Sequence, residues 1–483
     1  MNKNTYFTNF LWRFLERWGA QGVTFIVSIV LARLLDPSVY GTIALVTVFT
    51  TILNIFLDSG FGNALIQKNN ADDLDFSSVF FFNLLFSIIL YFILFCIAPL
   101  IEHFYNSPGL TPIIRVLGLF LPISGFKNIQ QAYVSRNMLF KKFFFATLGG
   151  TVGAAILGIT LAYYGFGVWA LVAQYLFNAL VDTIILWIIV PWRPHKCFSK
   201  KRLLSLFSFG WKLLISDLIY NGYTELRQLL IGKYYTSSDL AYYNKGYQFP
   251  QLISVNINSS INSILFPAMS SVQNDTIHVK RMLKTTIQVS QFVIAPLVVG
   301  LAVCGEPLVK IILTEKWLPC VPYMQLFCFS MVFGQMGNAN QNAIIAIGRS
   351  DIKLRIEIIK TVVDLIILII TVMISPMAVC IGFVTGAIIR IGICAWPNKK
   401  LLDYSFGKQL LDILPSLMIS IIMGISVWSI SLLGLPSLVS LVIQIPAGVI
   451  IYVGLSFLIK SEPFFYILNL IKPKIIILRS KKK

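Results

Sequence analysis

The stretch PHKCFSKKRLLSLF, residues 194–207, governs how the rest of the chain is read. It is basic at its start, amphipathic at its end, and flanked on both sides by long apolar runs. A segment of this kind lies on a membrane surface and meets anionic headgroups; it does not cross the bilayer. Outward from it, cations recur in every second gap between apolar runs. They stand at Lys3, Arg13 and Arg17, at Lys68, at Arg136, Lys141 and Lys142, and at Arg193, Lys196, Lys200, Lys201 and Arg202. They return at Lys280, Arg281 and Lys284, at Arg349, Lys353 and Arg355, at Lys399, Lys400 and Lys408, and through the tail from Lys460. The intervening gaps hold only Arg33, Lys233, Lys310 and Lys316. By the positive-inside rule, about 28 cations against about 4 predict that both termini are cytoplasmic and that the chain makes an even number of crossings, about fourteen.

Composition gives the same class independently. The 483 residues are 57% hydrophobic, with a mean hydropathy of +0.79, and only 12% are charged. Soluble proteins carry about 25% charged residues. The net charge of +19 is dealt out gap by gap instead of gathering on one solvated face, which excludes a nucleic-acid surface and leaves membrane lipids as the partner of most cations. The seven cysteines form no C-x-x-C pair and fall mostly inside apolar runs, so they read as small hydrophobes. The three histidines are scattered, and no metal site is expected. No small-residue cleavage site follows the first run, which is read as a retained span.

The expected helices cover about 18–35, 40–62, 77–100, 111–133, 143–164, 166–190, 209–232, 240–270, 285–304, 321–347, 354–375, 377–397, 410–433 and 435–459, each near the ~20 residues a bilayer requires. The expected organisation is an N-lobe over 1–191 with helices 1–6, a cytoplasmic amphipathic linker over 192–208, a C-lobe with additional helices 7–14 over 209–460, and a basic cytoplasmic tail over 461–483. The fold class is all-α, a polytopic membrane protein. Two stretches look like weak copies: ARLLDPSVYGTIAL from Ala32 and GKYYTSSDLAYYNKG from Gly232. Each ends one helix, makes a short polar turn and restarts with tyrosine. A parallel repeat of this kind belongs to transporters with a substrate path between lobes.

These motifs carry a resemblance. ARLLDPSVYG from Ala32, LLIGKYYTSSDLAYYNKGYQFP from Leu229, NSSINSILFPAMS from Asn258, LTEKWLP from Leu313 and AIGRSDIKLRIEIIK from Ala346, in this order, resemble the polysaccharide-transport branch of the multidrug/oligosaccharidyl-lipid/polysaccharide (MOP) flippase superfamily, the Wzx-type exporters. The resemblance implies a MATE-like flippase fold of about fourteen helices in two lobes. It also implies export of undecaprenyl-diphosphate-linked oligosaccharide across the bacterial inner membrane for O-antigen, capsule or exopolysaccharide synthesis, alongside the polymerase and glycosyltransferases of that pathway. The family often carries an acid just before the I-G-K/R turn of the seventh helix. This chain has Arg227 there, with Glu225 two positions earlier, so a coupling role resting on that acid does not carry over directly.

The remaining cations, Arg115, Lys127, Lys212, Arg227, Lys245, Lys360 and Arg390, fall within or near the ends of apolar helices, where a lipid-facing charge costs about 2.5 kcal/mol or more. Asp58, Asp182, Asp217, Glu225 and Asp364 are read as their counter-charges. A net-cationic interior suits a diphosphate, and Arg115, Lys127, Lys212, Arg227, Lys245 and Arg390 are the substrate-binding candidates. Each has a structural alternative: Lys212, Lys245 and Lys360 can snorkel, Arg115, Lys127 and Arg227 can pair helices, and Arg390 can partner Asp364. Asp58, Asp217, Glu225 and Asp364 are the candidates for coupling to an H⁺ or Na⁺ gradient. Trp211, Tyr220, Tyr223, Tyr242, Tyr243 and Tyr247 can stack on sugars or anchor at interfaces, and the amides of GQMGNANQNA from Gly334 can bind neighbouring helices or substrate hydroxyls. No G-x-x-x-x-G-K-[ST] loop is present, so no ATP hydrolysis by this chain and no cofactor are expected. Asp73-Leu74-Asp75 imitates a glycosyltransferase D-x-D but lacks a nucleotide-binding domain around it. The competing readings are a drug-cation antiporter of the same superfamily and, further off, a membrane polysaccharide polymerase.

Overall fold

A computed structural model describes residues 3–58, 61–68, 70–137, 139–273 and 275–469, and among these every regular element is helical. In bilayer hydrocarbon the backbone must bond internally, and a helix does so within one segment. The first nine helices are α1 (Lys3–Leu34), α2 (Pro37–Asp58), α3 (Phe61–Gln67), α4 (Asp73–Tyr105), α5 (Leu110–Leu117), α6 (Phe120–Arg136), α7 (Phe140–Tyr163), α8 (Val168–Ile189) and α9 (Lys200–Tyr234). They are followed by α10 (Ser237–Ser271), α11 (Thr276–Val303), α12 (Gly305–Ile312), α13 (Cys320–Ala346), α14 (Ser350–Val372), α15 (Pro376–Leu401), α16 (Phe406–Ser431) and α17 (Ser437–Leu458). With α5 and α6 counted as one, the described residues hold fourteen helical stretches of 22 residues or more. Nine of them are long and apolar enough to cross a membrane by length and composition, and Gly19–Leu34 is a shorter apolar helix. The chain is a multi-pass membrane protein.

The expected helix over 111–133 is present as one apolar stretch, Leu110–Arg136, with a tightened turn at Gly118 and Leu119, which keep right-handed helical dihedrals between α5 and α6. Pro122 has no N–H to donate, and the Gly118 carbonyl accepts from Leu121 N at 2.9 Å instead. The first helix starts earlier than expected, at Lys3, so Arg13 and Arg17 are helical. Both motif turns have the same form. Residues 35–36 separate α1 from α2, and residues 235–236 separate α9 from α10. At the second turn Thr236 and Asp239 cap each other, Asp239 N donating to Thr236 Oγ1 and Thr236 N to Asp239 Oδ2, each at 3.1 Å. Gly41 is required where the turns meet, because a Cβ there would run into the backbone of Ser237.

The chain divides into two compact units, Met1–Ala241 and Tyr242–Lys483. The sequence places this boundary in the 192–208 linker; the structure places it later, because Lys200–Phe207 is the start of α9 and docks on the first unit. No glycine or proline interrupts KKRLLSLF, and Ser199 caps it by accepting from Arg202 N. Trp192, Leu203 and Leu206 join a core with Phe61, Phe76, Phe80 and Leu186. Trp192 stacks on Tyr133 at 6.2 Å and donates from Nε1 to Asp73 Oδ1 at 3.1 Å. His195 N and Ser199 N donate to the hydroxyls of Ser77 and Ser78.

Acids of the loop that imitates a D-x-D, Asp73 and Asp75, serve this docking together with Asp72. Asp72 caps α4 in a reciprocal box with Asp75 and pairs with Arg202 at 2.6 Å. Asp75, fully buried, pairs with Lys68 at 2.6 Å and with Arg202 at 3.4 Å. The second unit has cores between α10, α11, α13, α15 and α16 and between α11, α16 and α17. Five of the seven cysteines are buried; Cys96 is exposed on α4, and Cys197 is intermediate.

Removing Asp75 strands two cations that still reach solvent, so Asp75→Ala should cost about 1–3 kcal/mol and lower the unfolding midpoint in detergent. Asp403→Ala, at a carboxylate 81% exposed, should stay within about 1 kcal/mol in the same measurement.

Candidate functional site

The first unit places Lys127 on α6 and Asp182 on α8 as an ion pair at 3.3 Å, with side chains 15% and 12% exposed. Asp58, the last residue of α2, accepts from Asn54 Nδ2 at 2.6 Å. Arg115 stands apart. Its guanidinium lies 4.1 Å from the centre of the Phe95 ring on α4, and its Nε donates to the Phe95 carbonyl at 3.3 Å. Among the described residues no carboxylate pairs with it. Arg227 is buried on α9 at 3% exposure, over the Tyr223 ring, while Glu225 accepts from Gln228 at 3.0 Å. Asp217 is half-buried on α9 and accepts from Asn221 through its backbone carbonyl. The side chains of Lys212 and Tyr220 lie outside the described residues.

In the second unit, Lys245 is buried on α10, bonds Gln248 Oε1 at 3.1 Å, and sits 5.7 Å from the Trp317 ring of the LTEKWLP motif. Arg390 on α15 forms an ion pair with Asp364 on α14 and packs over Phe383. Gly386 makes room for that pair: a Cβ there would lie 3.0 Å from Asp364 Oδ1 and 3.2 Å from Arg390 Nη1. Lys360 pairs with Glu357 at 3.1 Å, one turn earlier on α14. Glu357 is a counter-charge that the sequence reading missed, although its i,i+3 spacing to Lys360 is visible there. The excess of intramembrane cations is therefore one smaller than expected. Among the described residues, Lys127, Lys360 and Arg390 have carboxylate partners in Asp182, Glu357 and Asp364.

The amides of α13 pair helices. Asn340 is the hub: its Nδ2 donates to Gln409 Oε1 on α16 at 2.7 Å, and its Oδ1 accepts from Asn398 on α15 at 2.6 Å and from Gln409 at 3.0 Å. Gln335 donates to Ser254 on α10, Asn338 to Asn258, and Gln341 to Cys394 Sγ. Sequence reasoning missed Asn398 and Gln409, because the signal of such a network is spatial. Tyr243 belongs to the packed core, edge-on to Phe327 at 5.1 Å, and Tyr247 meets Phe327 and Phe383. Trp211 is exposed at 42%, on the outside of α9. Beyond the helices, Asp403 is held below the ordinary carboxylate range, first by its hydrogen bond from Lys280 and then by the charges of Lys280 and Lys408.

Replacing Lys127 alone with methionine strands Asp182 in a low-dielectric site. Lys127→Met should therefore cost about 3–5 kcal/mol and reduce the folded, inserted fraction. Adding Asp182→Leu should restore that fraction. Export measured in the double variant then separates a purely structural pair, which leaves export intact, from one that acts in transport.

Comparison with known proteins places this architecture. The family described as Polysaccharide biosynthesis protein matches residues 30–322. The succinoglycan biosynthesis transport protein ExoT of Rhizobium meliloti (strain 1021) is 24% identical over 330 residues, covering 68% of this chain and 67% of that protein. The lipopolysaccharide biosynthesis protein WzxC of Escherichia coli (strain K12) is 25% identical over 431 residues, covering 85% of this chain and 87% of its own. Among solved structures, the lipid II flippase MurJ in an inward closed conformation superposes with a TM-score of 0.76 at 14% identity, over 92% of this chain and 98% of MurJ, a likeness of fold.

Proposed function

Because the chain belongs to the polysaccharide biosynthesis protein family, we propose that it is a transporter and not an enzyme, and that it flips an undecaprenyl-diphosphate-linked oligosaccharide from the cytoplasmic to the periplasmic leaflet of the bacterial inner membrane. The unit serves O-antigen, capsule or exopolysaccharide synthesis, and the polymerase and glycosyltransferases of that pathway are its functional partners. Relatives named for succinoglycan transport and lipopolysaccharide biosynthesis support the reading. Both termini are cytoplasmic, by the charge asymmetry of the gaps.

Such transport makes and breaks no covalent bond. The lipid tail stays in hydrocarbon while the headgroup crosses by alternating access, so the protein must supply polar company for a diphosphate inside the membrane. The observation that carries the reading is Arg115. It is an arginine within a membrane-spanning helix, its contacts are with Phe95, and its two Nη groups meet no carboxylate among the described residues. A guanidinium with free Nη donors binds phosphate oxygens in a bidentate manner. Arg227 and Lys245 are further candidates, each within its own unit, and Lys127, paired with Asp182, serves first to join α6 to α8. Arg390 is held by Asp364 and serves first to join α14 to α15. Coupling to an H⁺ or Na⁺ gradient falls to Asp58, Asp217 or Glu225.

Arg115→Ala should impair glycan export at normal protein levels. A charge-assisted contact of roughly 1.5–3 kcal/mol is lost, about one to two decades in affinity for a prenyl-diphosphate glycan. Arg115→Lys should recover part of it. Deleting the gene should leave the lipid-linked sugar on the cytoplasmic leaflet. Purified protein that drives gradient-dependent uptake of ethidium-like cations into liposomes, and leaves the glycan in its leaflet, would overturn the proposal in favour of a drug antiporter.

A further inference from the structure

The exposed stripe of a lipid-facing helix in this chain is apolar, as on α14, where Leu354, Ile358, Val362, Ile366 and Ile370 are each at least 50% exposed. In the same unit, α10 is different. Its exposed face carries Gln251, Val255 and Ser259, with Asn258 partly exposed beside them, and these positions fall on one side of a helix with 3.6 residues per turn. Neither α10, 35 residues long, nor α13, 27 residues long, is among the nine helices apolar enough to cross a membrane by the composition of their described residues. Charge is not the cause. From Gly246 to the end of α10 at Ser271, and along all of α13, there is no Asp, Glu, Lys, Arg or His. The polarity of both helices is that of neutral amides and hydroxyls.

Two amide contacts join α10 to α13, and they differ in what they leave over. Gln335 Nε2 donates to Ser254 Oγ at 3.3 Å, and both residues are buried. Asn338 Nδ2 donates to Asn258 Oδ1 at 3.0 Å, but Asn338 is exposed, so the pair keeps an open donor in Asn258 Nδ2 and an open acceptor in Asn338 Oδ1. The side chains of Gln251 and Ser259 have no hydrogen-bond partner among the described residues. A Cβ on Gly334, one turn before Asn338, would meet nothing within 4 Å, so there is room beside the pair. Depth follows from the helix lengths. Asn338 lies eight residues, about 12 Å, before the cytoplasmic end of α13, a helix about 40 Å long against about 30 Å of hydrocarbon. Gln251 stands two turns, about 10 Å, further out than Asn258. Open amide edges at that depth do not face lipid, which offers them no hydrogen bond; they line a path that admits water.

A face without charge does not hold a diphosphate or a drug cation. A sugar hydroxyl both donates and accepts, and an amide presents a donor and an acceptor in one plane, so neighbouring hydroxyls of a pyranose ring match an amide edge. We infer that the α10 face formed by Gln251, Asn258 and Ser259, with Asn338 of α13, binds sugar hydroxyls in the glycan of the cargo. The inference rests on the transport reading above and extends it from the diphosphate, which every such cargo shares, to the glycan, which distinguishes one cargo from another. Selection among glycans then resides in the second unit.

The full chain in lipid nanodiscs is titrated with two lipids, the lipid-linked oligosaccharide extracted from the source strain and undecaprenyl diphosphate without sugar. Wild type should bind the first more tightly. Gln251→Leu removes open hydrogen-bonding groups and strands no partner, and it should weaken the glycan lipid about threefold; with Asn258→Leu and Asn338→Leu added, which remove both halves of one pair, the loss should reach about tenfold. Binding of the sugar-free lipid should not change. Should the triple variant fail to fold, Gln251→Leu decides alone. Equal weakening of both lipids, or of neither, overturns the sugar face, and a wild type that still flips the glycan in liposomes leaves the transport reading standing. Weakening confined to the glycan lipid, beside a wild type that moves no glycan between leaflets, sustains the face and removes the transport reading. Water access is read separately: Gln251→Cys should react with a hydrophilic thiol reagent in nanodiscs, and Ile366→Cys on the lipid side of α14 should not. If Gln251→Cys is as unreactive as Ile366→Cys, position 251 faces lipid and the inference fails.

Discussion

A charge inside bilayer hydrocarbon must have company, and the arrangement of this chain follows from that constraint. A lone Arg or Lys on a lipid face costs several kcal/mol, so such cations are drawn to groups on their own or a neighbouring helix that can receive them. Lys127 ties α6 to α8 through Asp182, and Arg390 ties α15 to α14 through Asp364, beside Gly386, where a Cβ would crowd the pair. Lys360 is satisfied within α14 by Glu357. Where a cation lies against a ring, as Arg115 does on Phe95, the quadrupole holds it without neutralising it. Such a cation remains free to receive an anion, and this difference separates structural charges from candidates for contact with cargo.

Polar groups near the helix ends follow the same rule in a different currency. Asp75 is fully buried, yet it caps a helix and receives Lys68 and Arg202, so the start of α9 is fastened to the start of α4. In the second unit Asn340, Asn398 and Gln409 bond one another across α13, α15 and α16. Amides suit this purpose: each carries donors and an acceptor, and none adds charge to desolvate. Both devices fix helices laterally, where contact between apolar faces gains little over contact with lipid.

The turn before Pro122 shows what one missing donor does within a span. With no N–H at that residue, the Gly118 carbonyl accepts from Leu121 instead, so the turn at Gly118 and Leu119 tightens while their dihedrals stay helical.

The sequence by itself determined the helical membrane class, the number of long helices and the family. Hydropathy runs and loop charge are one-dimensional signals, written at the scale of a single span, and the motifs from Ala32 and Leu229 lie in local turns whose chemistry is equally local. Intramembrane cations were also visible, because any charge stands out in an apolar run. Only the tertiary structure decided their partners. The Asp182–Lys127 and Asp364–Arg390 pairs span 55 and 26 residues, and the Asn340–Gln409 bond spans 69, so no spacing rule reaches them. The place of 200–207 was likewise decided in three dimensions. Its basic amphipathic pattern suits a helix start as well as a membrane surface, and Lys200–Phe207 opens α9 with Arg202 held 3.4 Å from the buried carboxylate of Asp75.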